Sequence, residues 1–125
     1  MSDSILIMEI EEKLNYISIH YPEGAEKLTR LLGKKDTLKS GNVYGEKLTD
    51  RQFSLVFGPL LEAAYERARI LEALAGNEST IGNLSAATGM KPQQVFNHMK
   101  DLMKRNMVEI SEHAGRDAVF RKIRR

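Results

Sequence analysis

The chain has 125 residues, 42% of them hydrophobic and 29% charged, with nineteen Lys and Arg against seventeen Asp and Glu and no cysteine or tryptophan. One core burying roughly two thirds of the unfolded surface suffices at this length, and the missing sulfur excludes disulfides, iron–sulfur clusters, thiolate zinc sites and cysteine nucleophiles. The apolar run Ile5-Leu6-Ile7-Met8 meets acidic residues at once and is too short for a signal peptide or a membrane span, so a cytoplasmic protein with no membrane partner is expected.

Residues 4 to 18 place Ile5, Met8, Leu14 and Ile17 at helical spacing, widened by Ile7, Ile10 and Tyr16. With Asp3 or Ser4 as a cap this predicts an amphipathic helix, although the density of β-branched residues also suits a strand. Pro22 then opens a second helix over 22–32 with Ala25, Leu28, Leu31 and Leu32 as its stripe, and Gly33 is expected to close it in a left-handed conformation. From Gly33 to Lys47 no period is present, which predicts a surface loop.

Thr49-Asp50-Arg51-Gln52 has capping-box spacing, so a helix should begin there. Phe53, Val56, Phe57, Leu60, Leu61, Ala64, Ala68 and Leu71 are expected on one face, with Gly58-Pro59 breaking or kinking the run before its end near Ala75-Gly76. Phe53, Phe57 and Leu61 together with the N-terminal stripe exceed what one small core needs, and a second copy of the chain is the expected cover.

Ser79 or Thr80 caps a short helix with Ile81, Leu84 and Ala87 inward, closed at Thr88-Gly89. Lys91-Pro92 starts the next, in which Val95, Met99 and Leu102 share a buried face. Gln93, Gln94, Asn97, Lys100 and Lys104 lie on the other face or its flanks. Two helices joined by a tight turn, the second apolar inside and amide-rich outside, have the layout of a helix-turn-helix. Amides suit adenine, and Lys suits guanine or phosphate, in the major groove.

Asn106 is expected as a left-handed stop. Met107 to Ile110 alternates as a strand, Glu112 to Asp117 makes a turn containing Gly115, and Ala118 to Ile123 alternates back with Phe120 and Ile123 inward. This predicts a β-hairpin with Arg116 at its tip.

Residues 81–123 resemble the winged helix-turn-helix domain of bacterial and archaeal transcription regulators, nearest the ArsR-like group. Thr80-Ile81-Gly82-Asn83-Leu84-Ser85-Ala86-Ala87-Thr88-Gly89-Met90 is similar to that group's first helix and turn. Val95-Phe96-Asn97-His98-Met99-Lys100-Asp101-Leu102 is similar to its "V-S-x-H-L-x-x-L" recognition helix, and Met107-Val108 to the "G-L-V" before the wing. Phe96 replaces the usual Ser and Asn106 the usual Gly. Thiolate metal sensing, common in that group, has no counterpart in a chain without cysteine.

The charge follows the same division. From Lys91 onward nine basic residues face four acidic ones, whereas the first ninety residues carry ten basic and thirteen acidic. A basic end on an acidic body is expected of a small nucleic-acid binder, or of a solvated tail.

The sequence therefore predicts a mainly α fold with a small β-hairpin. Residues 1–48 form an N-terminal helical extension and loop for dimerisation, and 49–125 a winged helix-turn-helix. Its expected partner is double-stranded DNA, bound by a homodimer through Gln93, Gln94, Asn97, Lys100, Lys104, Arg105, Arg116 and Arg121. The alternative is a winged-helix protein-interaction module without DNA binding, with Phe96 on the contact surface. A ligand-gated form would place a pocket between the N-terminal part and the winged domain, where no residue names an effector. No catalytic grouping and no cofactor motif is present, so no enzyme is expected. His20, His98 and His113 are too scattered for a helix-borne metal site, and His98 is expected to be structural.

Overall fold

Apolar residues at helical spacing dominate the first two thirds of the chain, and strand alternation begins only near Val108. The computed structural model describes residues 3–33 and 50–123, with side chains placed at 10–33, 52 and 54–123. The expected loop beyond Gly33, Thr49, and the side chains of Ile5, Ile7, Met8 and Phe53 lie outside what is described. Among the described residues three helices come first: α1 (Asp3–His20), α2 (Pro22–Gly33) and α3 (Asp50–Ala73). Then follow β1 (Ser79–Thr80), α4 (Ile81–Thr88), α5 (Pro92–Lys104), β2 (Val108–Ala114) and β3 (Asp117–Lys122). They fall into two compact units, Met1–Tyr65 and Glu66–Arg125.

In the first unit, Ile17, Tyr21, Ala25, Leu28, Phe57, Leu61 and Ala64 are buried. The helical alternative for residues 4–18 holds, and the helix already includes Asp3 and Ser4, so neither is its cap. Tyr21 joins α1 to α2, donating its N–H to Ile17 O and accepting from Ala25 N–H at 3.2 Å. Gly24 lies against its ring so closely that a Cβ there would be 2.5 Å from Tyr21 Cδ2, so only glycine lets the two segments meet in this way. Gly33 is itself helical rather than a left-handed stop.

Gly58-Pro59 does not divide the third helix, which runs unbroken from Asp50 to Ala73. Proline removes one N–H and normally crowds the Cβ of the residue before it; Gly58 has no Cβ, which relieves that clash in the helical conformation. The expected single face also separates into two. Phe57 and Leu61, expected to be covered by a second copy, are buried within the single chain, as are Ala64, Ala68 and Leu71, whereas Val56 and Leu60 are exposed together with Leu55. The reason is angular, because residues 56 and 60 sit one step of about 100° behind 57 and 61 on the helix.

The second unit holds Ala68, Ile70, Leu71, Leu74, Leu84, Met90, Val95, Met99, Leu102, Val108, Val119 and Phe120 in its core. Ala87, expected inward, is exposed, and Thr88 is buried in its place. Its hydroxyl donates to Leu84 O at 2.7 Å and accepts from Met90 N–H at 3.3 Å. A third strand, beyond the expected hairpin, gives the sheet order β1-β3-β2, all antiparallel. Ser79-Thr80 pairs with Phe120 and Val119 because the segment before α4 is extended at Thr80, which also caps α4 through Asn83 N–H.

The hairpin loop is shorter than expected. Pairing continues to Ala114 opposite Asp117, leaving only Gly115-Arg116 between the strands. Gly115 has φ 66°, and glycine at the first of two loop positions suits a tight hairpin whose twist matches its strands. A register shift between Ile110 and Glu112 frees Ser111, whose hydroxyl donates to Val119 O at 3.2 Å. That bulge accompanies the burial of two consecutive residues, Val119 and Phe120.

Candidate nucleic-acid interface

The α5 helix is built for two environments. Pro92 occupies its first position, where the missing N–H costs nothing, and Gln94 Oε1 accepts the Lys91 N–H at 3.1 Å. Val95, Met99 and Leu102 are fully buried and fix the helix on its inner side. Gln93, Asn97, Lys100 and Lys104 follow at i, i+4, i+7 and i+11 and are all exposed. The turn before the helix is tied by Gly89 N–H to Ser85 O, by the Ser85 hydroxyl to Met90 O at 2.6 Å, and by Arg69 to Thr88 O at 2.6 Å.

The residues expected to meet DNA have different local partners. Gln93 Nε2 donates to Asn97 Oδ1 at 3.1 Å. Gln94 is committed at both ends of its amide, since its Nε2 also donates to Glu66 Oε2 at 3.4 Å. Lys100 Nζ stands 4.9 Å from the centre of the Phe96 ring, which is 42% exposed. Arg116 is at the hairpin tip and Lys104 at the last turn of α5, both exposed. Arg105 donates to Asp101 at 2.9 Å, and Arg121 faces its cross-strand neighbour Glu109 at 3.3 Å. Among the described residues Lys91, Lys100, Lys104, Arg116 and Lys122 have no carboxylate partner.

A polar network between the end of α3 and α5 escaped the sequence reading. His98, with only 12% of its side chain exposed, accepts from Arg67 Nε–H on Nδ1 at 3.1 Å and meets Glu66 Oε1 through Nε2 at 2.9 Å. An acceptor role for Nδ1 places the proton on Nε2, so the ring donates to Glu66. This matches the structural role expected of His98. Arg67 also reaches Asp101 at 2.7 Å. Helical periodicity marks Glu66 and Arg67 only as polar positions on α3, and no local signal tells which helix a polar side chain will meet.

The Arg105 hydrogen bond holds the Asp101 carboxyl below its ordinary value, with the charges of Arg67, Arg105 and Lys104 acting the same way against partial burial. Because the folded value is depressed, Asp101 adds stability above its unfolded value, and that contribution is lost as pH falls through the folded one. Asp101→Asn is therefore expected to lower the Tm by about 2–5 °C at pH 7. The gap to wild type should narrow on acidification below about pH 4, as thermal melts followed by circular dichroism would show.

Residues 64–117 match the MarR family. The match covers α4, α5, the turn between them and the strands up to the hairpin tip, just under half of the chain. It supports a winged helix-turn-helix of the transcription-regulator kind over this segment. No curated protein and no solved structure matches the chain. Among the described residues no three His, Asp or Glu side chains form a metal-binding group, and no helix is long and apolar enough to cross a membrane.

Proposed function

We propose that the chain is a sequence-specific, double-stranded-DNA-binding transcription regulator that acts as a homodimer in the cytoplasm, without a cofactor or an enzymatic step. The observation that carries this reading is the exposed polar stripe Gln93, Asn97, Lys100 and Lys104 on α5, inside the segment that matches the MarR family. In the major groove Gln93, Asn97 and Lys100 lie at or near base edges, while Lys104, Arg105, Arg116 and Arg121 hold phosphates on either side. Gln94, exposed but held by Lys91 N–H and Glu66, keeps one lone pair and one N–H for a base. The ArsR-like resemblance belongs to this proposal through the "V-x-x-H-M-x-x-L" spacing of Val95, His98, Met99 and Leu102.

Exposed Leu55, Val56 and Leu60 on α3 support pairing with a second copy, and two-fold pairing suits half-sites about 34 Å apart on DNA. Selection of bound duplexes from random-sequence DNA tests the proposal, with enrichment of an inverted repeat as the expected result. Arg116→Ala should weaken retention of such a duplex about tenfold while leaving the thermal melt unchanged.

The exposed Phe96 ring favours a second reading, a protein-interaction module. Phe96→Ser separates the two, because it should spare DNA binding and weaken a protein contact. Retention of DNA unaffected by Arg116→Ala and Asn97→Ala would favour the interaction module.

A further inference from the structure

Gln93 and Asn97 stand one turn apart on the exposed side of α5, and their amides are joined by a bond from Gln93 Nε2 to Asn97 Oδ1 at 3.1 Å. That bond uses one of two lone pairs on Oδ1. The second lone pair and the Nδ2 hydrogens have no partner among the described residues. The bond holds the Asn97 amide against Gln93, and with the two amides turned either way one carbonyl lone pair and one N–H of Asn97 stay unengaged. Asn97 therefore offers solvent one acceptor and one donor side by side, already oriented.

The four bases differ in what they can match. In the major groove adenine presents an N6–H donor next to the N7 acceptor, guanine two acceptors, cytosine a donor, and thymine an acceptor beside a methyl group. Only adenine pairs with both ends of a single amide. Guanine would set its O6 against Oδ1, two acceptors facing each other. The neighbouring Gln94 amide differs in that both of its ends are held by other parts of the chain, the Lys91 N–H and Glu66 Oε2.

We propose that Asn97 reads an adenine bidentately and that Gln93 is a positioning residue holding the Asn97 amide in the orientation that does so. This rests on the DNA-binding reading above and adds to it the base that each half-site must contain.

The probe is the set of duplexes that the full chain recovers from random-sequence DNA. The expected result is an adenine recurring at one position of each half-site. Replacing that A·T pair by G·C should cost wild type about 10- to 100-fold in affinity. Placing 7-deazaadenine there, which removes only the N7 acceptor, should cost several-fold. Asn97→Ala should be indifferent to both changes. Gln93→Ala should show a reduced preference for adenine, and adding it to Asn97→Ala should change nothing further, because the two side chains act as one unit. Both positions are exposed, and matching thermal melts separate these effects from unfolding.

No recurrent adenine, tolerance of 7-deazaadenine by wild type, or an Asn97→Ala variant as selective as wild type overturns the inference while leaving DNA binding in place. Wild-type selectivity in Gln93→Ala overturns the positioning role. Recovery of no duplex at all removes the DNA-binding reading and this inference together.

Discussion

Leu102→Ala is expected to destabilise the chain by about 2–5 kcal/mol, measured by urea unfolding of the full-length protein followed by circular dichroism. Leu102 has no exposed surface and completes the buried row of Val95 and Met99 on α5. Its carbonyl also accepts the Met107 N–H at 3.0 Å, where the chain leaves the helix through Asn106 at φ 58°. Truncation removes the apolar contacts and leaves a cavity that this short helix cannot close, because both of its ends are fixed by the turn at Thr88 and the stop at Asn106. A domain of this size is stable by only about 5–15 kcal/mol, so the loss is a large share of the total. Lys104→Ala, on the exposed side of the same helix, should change stability by no more than about 0.5 kcal/mol. A cost below 1 kcal/mol for Leu102→Ala would show that the inner face of α5 is not the anchor of the recognition surface.

That anchor was legible because its signal is local. The spacing of Val95, Met99 and Leu102 is a direct consequence of 3.6 residues per turn, and the cap at Thr80, the start at Lys91-Pro92 and the stops at Gly89 and Asn106 each act within a few residues. The discrepancies arise where two local rules compete or where the partner is distant. At Gly58-Pro59 the helix-breaking tendency of proline met the one preceding residue that relaxes it, and the longer helix prevailed. Val56 and Leu60 are apolar like Phe57 and Leu61, but their angular position puts them on the solvent side rather than on one face with those residues. Ser79-Thr80 joins the sheet through Phe120 and Val119, forty residues away, and a two-residue strand has no period to detect. The Glu66–His98 and Arg67–Asp101 contacts are equally non-local, so no spacing within α5 shows which of its polar side chains are already engaged.

Those engagements give the interface a quantitative salt signature. Five cations near α5 and the wing, Lys91, Lys100, Lys104, Arg116 and Lys122, lack carboxylate partners among the described residues, whereas Arg105 and Arg121 are paired with Asp101 and Glu109. If the five meet phosphates, the slope of log affinity against log salt should be about −4 to −5 for each chain, since each neutralised phosphate releases close to one counterion. Between 50 and 200 mM salt this amounts to a loss of several hundred-fold per chain, and to about 10⁵-fold for two chains bound together. Arg116→Ala should reduce the magnitude of the slope by about one for each chain and weaken binding almost equally on every sequence. Arg121→Ala should change it less, because forming a phosphate contact there first requires separation from Glu109. Titration of a selected duplex at four salt concentrations measures all of these values. A wild-type slope near zero would exclude DNA as the partner, and a normal slope unaltered by Arg116→Ala would remove the wing, but not α5, from the interface.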